Sequence, residues 1–465
     1  MPGDEPGHAI PVLRLLAEVP CWCPVRYMKS ALLKILASPV TICGVALGLR
    51  FVFIGAQCLR IPREVLAVVP FQQETGNIAY ALVQGHGFAN VFRGDTGPTA
   101  WLAPVYPLLL AAIFKVFGAF TFSAFLTIVS LNAAFSAAAT VPIFLAARRI
   151  AGPAAAITAA WLWALFPNAI VMPFEWVWDT SLSALLAATI LWATMELGVG
   201  NERPNWKSWT GYGMLWGFAL MTNPSLGSVL PFLLAWLTYR AVKWKAFGWV
   251  APALVLTVVL LCCAPWMLRN YQQFHRLVPV RSNFPFELWL GNNDVYDLHS
   301  PHTRTRITRY EEARAYAQLG EVAFMDDKWR RARGFIASHP ALEGELVARR
   351  FVATWIGLES PVQGFRSGPS LVRWALLCNL IVSLGALVGI IALAIERSEF
   401  LPAVAAFPAI FPILYYATHT SLRYRHPIDP VLVLLMTVTL RWIESLPRSR
   451  RFIESFDSIC RAFRL

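Results

Sequence analysis

Three acids and a set of arginines carry the residue types that could do chemistry. Glu74 and Asp95 lie in FQQETGNIAYALVQGHGFANVFRGDTGPTAWLAPVYP, residues 71–107, a polar stretch that follows the first long apolar segment. A carboxylate held at a membrane surface can accept a proton from a hydroxyl nucleophile. Glu74 opens Glu74-x-x-x-Ile78-Ala79-x-x-Leu82, which reads as a short amphipathic helix ending at Gly85 and Gly87, although a solvated loop acid would look the same. Asp95, in Gly94-Asp95-Thr96-Gly97-Pro98, has a turn-forming context that competes more strongly with a catalytic role. Asp179 follows Phe174-Glu175-Trp176-Val177-Trp178. An ionisable residue at the hydrocarbon edge must be paired or face a wet cavity, so Asp179 is expected to point inward towards the cavity of Glu74, with Glu175 exposed. Opposite the acids stand Arg269, Arg281, Arg423 and Arg425, in Arg269-Asn270 and Arg423-Tyr424-Arg425-His426-Pro427. Guanidinium groups match phosphate oxygens bidentately, which suits a phosphate ester at headgroup level; plain headgroup anchoring is the alternative. Trp289 with Asn292 and Asn293 could hold a sugar by stacking and hydrogen bonding, or serve as caps and turns.

The elements that must position these residues are membrane helices. The 465-residue chain is 57% hydrophobic and 14% charged, more apolar side chain than one soluble core can hide. Apolar runs of bilayer length recur, and the alternation of an outer-membrane barrel is absent. An all-α polytopic membrane protein is expected, with about ten spans: 39–59, 122–147, 153–170, 177–197, 209–223, 226–239, 247–268, 371–395, 400–418 and 428–442. Arg50 falls in the middle of the first, where it would pair with a carboxylate or snorkel.

Lys and Arg set the orientation. Arg26, Lys29, Lys34, Arg148, Arg149, Arg203, Lys207, Arg240, Lys243, Lys245, Arg448, Arg450 and Arg451 all fall inside if the N-terminus is cytoplasmic. The divisions expected are a cytoplasmic tail at 1–38, spans one to seven at 39–268 with a first outer loop at 60–121, an outer domain at 269–370, spans eight to ten at 371–442, and a cytoplasmic tail at 443–465. The run Pro104 to Phe117 is too short for a crossing and would invert Arg148 and Arg149, so it is read as an interfacial helix with Lys115 towards the headgroups. A short tilted span is the alternative. Helical spacing through the outer domain predicts two or three short helices over the membrane mouth.

The net charge of +13 is spread over loops without a compact basic module, which argues against nucleic acid and for orientation signals and anionic lipid. The cysteines at positions 43, 58, 262, 263 and 378 lie in or at spans, and Cys21, Cys23 and Cys460 in tails, so no disulfide framework is expected. Cys21 with Cys23 is too small a ligand set for zinc, and His299 with His302 is a loop pair. No metal ligand is therefore assigned, while assistance by a divalent metal stays open. The first thirty residues lack the apolar core of a signal peptide, and no internal repeat of transporter type is visible.

The order of these features resembles the GT-C superfamily of integral membrane glycosyltransferases, particularly the glycosyltransferase family 39 branch of protein mannosyltransferases and lipid A aminoarabinose transferases. The resemblance rests on Glu74 with Ile78-Ala79-Tyr80-Ala81-Leu82, on Pro104-Val105-Tyr106-Pro107, on Arg148-Arg149-Ile150-Ala151-Gly152, and on Asp179. It extends to Gly97-Pro98-Thr99-Ala100-Trp101 and to Glu287-Leu288-Trp289-Leu290-Gly291-Asn292, which are similar to stretches of bacterial members. Many relatives have Asp where this chain has Glu74, followed by a second acid where this chain has Thr75. The resemblance implies a bacterial inner-membrane enzyme with its active site facing the periplasm. It also implies transfer of a sugar from a polyprenyl-phosphate donor to a lipid, glycan or protein acceptor by direct inverting displacement. Glu74 would be the base, with Asp95 and Asp179 as further acids. The arginines at 269, 281, 423 and 425 would hold donor phosphate. Rival readings are a flippase or transporter of lipid-linked saccharide, and an O-antigen ligase or polymerase, whose Arg- and His-rich outer loop the region 269–370 echoes.

Overall fold

The structure is a computed structural model that describes residues 35–199, 204–243, 249–293, 311–357 and 370–446. The expectations on Cys21, Cys23, Cys460, His299, His302 and the basic residues at 26, 29, 34, 203, 245, 448, 450 and 451 lie outside the described residues. Among the described residues the chain is helical, with a single isolated antiparallel bridge between Ala89 and Pro98.

The membrane part begins with α1 (Pro39–Arg60), whose proline sits in the first turn where its missing N–H costs nothing. After α2 (Arg63–Val68) come α3 (Glu74–Val83) and α4 (Val105–Phe117), in the segment expected as the first outer loop and referred to by that name. At 1.5 Å per residue the 13 residues of α4 reach roughly 20 Å, short of the bilayer core. Lys115 on α4 is exposed. Next are α5 (Phe122–Ala138), α6 (Thr140–Leu165) and α7 (Pro167–Glu175). The span expected at 153–170 is interrupted here. Phe166 is extended because a residue before proline avoids the helical region, and Pro167 starts a new helix. A further break falls at Gly152, with φ 85°, followed by Pro153.

Then follow α8 (Thr180–Val199), α9 (Trp206–Thr222), α10 (Leu230–Lys243) and α11 (Val250–Phe274). α11 runs past the end expected at Leu268, so Arg269 and Asn270 are helical and not terminal. The region expected as the outer domain contains α12 (Phe284–Gly291), α13 (residues 311–319), α14 (Glu321–Ser338) and α15 (Pro340–Ile356), called the outer helices for that expectation. The chain returns through α16 (Ser370–Ile395), then α17 (Leu401–Ile410), α18 (Ile413–Ala417), the short α19 (Leu422–Arg425) and α20 (Asp429–Ser445). The expected span at 400–418 is thus divided at Phe411–Pro412.

Among the described residues, five stretches are long and apolar enough to cross a membrane by length and composition: 39–60, the broken 122–165, 180–199, 250–274 and 373–395. The remaining expected spans are shorter helices, so length and composition alone do not establish the count of about ten. α16 packs on α20, α9 on α11, and α1 and α20 on α6, around a core rich in alanine and leucine.

Arg50 in α1 is fully buried and meets neither of its expected fates. Its Nε donates to Ser136 Oγ at 2.9 Å and a terminal nitrogen to Ala46 O at 2.8 Å, so neutral acceptors replace a carboxylate. The outer helices are fastened to the first outer loop by Glu321. It accepts hydrogen bonds from the Tyr316 hydroxyl at 2.6 Å, the Thr99 hydroxyl at 2.5 Å and the Ala100 N–H at 2.8 Å. Around this latch Phe88, Val91 and Trp101 of the loop pack with Tyr316, Phe324 and Met325.

Candidate active site

A cavity of about 790 Å³, part of it open to solvent, lies where the first outer loop, the outer helices and the ends of several membrane helices meet. One wall is Thr75 of α3 with Leu102, Ala103, Tyr106 and Pro107. Trp178, Asp179 and Thr180 come from the junction of α7 and α8, and Thr222 and Asn223 from the end of α9. Arg281, Phe284 and Glu287 come from the segment entering α12 and from α12 itself. Leu414, Tyr415, Thr418, His419, Arg423, Tyr424 and Pro427 complete the lining.

Asp179 stands just ahead of the first turn of α8. Ser183 bonds it twice, N–H to its carbonyl at 2.7 Å and hydroxyl to Oδ2 at 2.7 Å. Asn223 in turn donates to that hydroxyl at 3.2 Å. The helix N-terminus favours a negative charge there, and the position places a carboxylate on the cavity wall. Burial pushes the Asp179 carboxyl above the usual carboxylate range, against the Ser183 hydrogen bond and the charges of Arg423 and Arg281, which act to lower it. Glu74 is half-buried at the first residue of α3, beside the cavity-lining Thr75, and its charge is felt by Arg423. The seat of α3 depends on Gly76. A Cβ there would lie 2.0 Å from the Phe71 carbonyl oxygen, so any larger residue would push the start of the helix, and Glu74 with it, away.

Arg423 is held by aromatic faces, its guanidinium carbon 4.6 Å from the Trp176 ring, 4.4 Å from Trp178 and 4.9 Å from Tyr424. A terminal nitrogen also donates to the Tyr424 hydroxyl at 3.0 Å. Tyr424 stacks on Tyr415 at 4.9 Å. A cation stacked this way keeps its remaining N–H groups available to an anion. Arg281 is anchored by one bond to Ser225 Oγ at 3.0 Å.

Other residues expected at the site lie elsewhere. Asp95 is exposed in its turn, beside a separate surface groove with Gln273 and His275. Arg269 donates to the carbonyls of Thr99 at 2.7 Å and Phe88 at 2.8 Å, bracing the first outer loop from α11. Arg425 is buried in an ion pair with Asp429 at 2.8 Å and donates to Trp355 O at 2.6 Å. Trp289 is buried under the Lys328 ammonium, 3.6 Å from its centroid. Asn292 is fully buried and donates to the carbonyls of Leu288 and Ala417, while Asn293 donates to that of Trp289. None of these three lines the cavity.

Among the lining residues not singled out in the sequence as site residues are Glu287 and His419, which pair with each other. His419 Nε2 meets Glu287 Oε2 at 2.6 Å, and Asn283 donates to Oε1 at 2.8 Å. Burial pushes the Glu287 carboxyl up, but the His419 hydrogen bond and charge, with Arg281 and Arg423, outweigh it and hold the group below the usual carboxylate range. Glu287 was visible only as part of a family-like string, and nothing local marks its partner, 132 positions away.

The family model for dolichyl-phosphate-mannose-protein mannosyltransferase matches residues 101–268. That stretch contains Asp179 and Asn223 and ends before Arg281. The match supports the reading of the chain as a GT-C superfamily membrane glycosyltransferase. The chain is similar to the oligosaccharyltransferase of Archaeoglobus fulgidus in its apo form, at 14% identity over 91% of this chain and 52% of that one, with a TM-score of 0.49. The Archaeoglobus fulgidus enzyme AglB in complex with an inhibitory peptide and a dolichol-phosphate gives 12% identity over 90% and 51%, also at 0.49. The chain thus spans about half the length of these structures. No curated protein sequence matches it.

Proposed function

We propose that the cavity is the transfer site of a glycosyltransferase that takes a sugar from a polyprenyl-phosphate donor and attaches it to an acceptor on the periplasmic side of a bacterial inner membrane. The observation that carries this is one cavity in which Arg281 and Arg423 stand with Asp179 and Glu287, with Glu74 at its edge. The description of the matching family, which names a dolichyl-phosphate sugar, supports the same donor class.

The acceptor oxygen attacks the anomeric carbon as the bond from that carbon to the phosphate oxygen breaks. The electron pair leaves with the phosphate, and the acceptor proton passes to Glu74. Arg281 and Arg423 compensate the charge on the departing lipid phosphate, a leaving group that needs no general acid. Asp179, bonded to Ser183, orients the acceptor beside them. Arg269 and Arg425 act at one remove, by holding the walls.

The test uses membranes containing the full chain, a panel of radiolabelled polyprenyl-phosphate sugars, and Glu74→Gln and Asp179→Asn variants at equal expression. Glu74→Gln is expected to slow transfer by about 10²–10⁴-fold while undecaprenyl phosphate binding persists. Normal transfer by that variant, with loss in Asp179→Asn, would move the base to Asp179. Movement of lipid-linked sugar across the bilayer without any transfer would replace this reading with a flippase.

A further inference from the structure

The cavity holds one carboxylate whose orientation is set from three sides. Glu287 receives Asn283 Nδ2 on Oε1 and His419 Nε2 on Oε2. Helix α12, which carries it, is clamped from the outer domain by Arg350 of α15. Arg350 is buried and donates to the Gly291 carbonyl at 2.5 Å, to Asn292 Oδ1 at 2.9 Å, and to the carbonyls of Tyr416 and Ala417 at 3.1 Å each. The same arginine therefore fixes both the end of α12 and the segment that delivers His419. The two backbones touch: a Cβ on Gly291 would lie 1.8 Å from the Thr418 carbonyl oxygen.

Each oxygen of an ionised carboxylate has two acceptor sites, so each oxygen of Glu287 keeps one after its protein partner is served. An ionised carboxylate accepts hydrogen bonds and repels phosphate. Its complement in a ligand is a neighbouring pair of donors, as in a sugar diol. The arginines offer the opposite complement, for phosphate.

Resting on the donor class proposed above, we infer that Glu287 is the sugar-recognising residue of the cavity, accepting hydrogen bonds from two adjacent hydroxyls of the donor sugar while Arg281 and Arg423 take its phosphate. His419 and Asn283 are positioning residues that act through it. This moves sugar contact to the cavity side of α12, away from Trp289, Asn292 and Asn293, which serve packing. That the carboxyl is held below the usual range keeps it an acceptor at neutral pH.

The test compares binding of sugar-free undecaprenyl phosphate with a panel of undecaprenyl-phosphate hexoses, pentoses and amino sugars, using the full chain in nanodiscs. The wild type is expected to prefer at least one sugar-bearing lipid by about tenfold or more. Glu287→Gln is expected to bring that preference close to unity without weakening the affinity for sugar-free lipid, which should rise because a charge that repels phosphate is removed. Glu287→Asp, which keeps the charge but shortens the reach, carries the same test if the amide variant does not fold, and is expected to lose most of the preference. Preference retained in both variants, a parallel loss of sugar-free binding, or no preference for any sugar in the wild type would overturn the assignment. Failure of the folded wild type to bind any of these lipids would instead remove the polyprenyl-phosphate reading on which it rests.

Discussion

At the scale of single residues, the cavity separates two kinds of charge. Arg423 is stacked among Trp176, Trp178 and Tyr424, so its planar shape matters as much as its charge. Arg423→Lys and Arg423→Gln are both expected to weaken undecaprenyl phosphate binding, by about 10–100-fold for the glutamine, as measured by lipid titration of nanodisc-held protein. Lysine should recover only a part, because an ammonium neither stacks nor presents two parallel donors. Glu287 has a folded-state pKa depressed below its unfolded value. Its stabilising contribution is therefore fully present above the ordinary glutamate value of about 4.3 and is lost as pH falls through the lower folded value. The gap in thermal unfolding midpoint between wild type and Glu287→Gln should be widest near neutral pH. It should shrink in acid below the ordinary glutamate range; a gap that stayed constant down to pH 3 would contradict this.

At the scale of elements, the site depends on helices that meet far from the residues they aim. Arg350 on α15 bonds the ends of α12 and α18, and through them sets Glu287 against His419. Arg350→Met would leave buried carbonyls of Gly291, Tyr416 and Ala417 without that donor and is expected to cost about 3 kcal/mol, read from unfolding of the purified protein. Gly291→Ala should act on the same joint by another route. Its Cβ must displace backbone at Thr418, so loss of stability with the cavity charges unchanged is expected in the same unfolding measurement. The latch of Glu321 does for the first outer loop what Arg350 does for α12. The outer helices are thus a frame for two walls of the cavity as well as a cover over it.

At the scale of the whole molecule, the proposed orientation puts the first outer loop and the cavity on one side of the membrane and Arg148 on the other. In a cysteine-free background, Asp95→Cys, at an exposed turn, should react with a membrane-impermeant maleimide in intact cells, whereas Arg148→Cys, also exposed, should react only after permeabilisation. The reverse pattern would turn the chain over and place the cavity in the cytoplasm. Much of the helical framework was legible in the chain. The apolar runs that became α1, α8, α11 and α16, and the short α4 with its exposed Lys115, follow from local composition. Breaks at Phe166 and Phe411 were missed because hydropathy continues smoothly across them while proline interrupts the backbone.

Sequence by itself determined the membrane class, the long apolar helices and the acid at the start of α3, because apolar content, turn residues and charge are local properties. Tertiary structure alone decided which charges share a cavity. Arg281 and Arg423 face it, whereas Arg269 is spent on loop carbonyls and Arg425 on Asp429, although all four looked alike as arginines near helix ends. Glu287 and His419 meet only because α12 and the segment after α18 are drawn together by Arg350. A hydrogen bond between residues far apart in the chain leaves no periodicity, spacing or composition for a reader of the sequence to find.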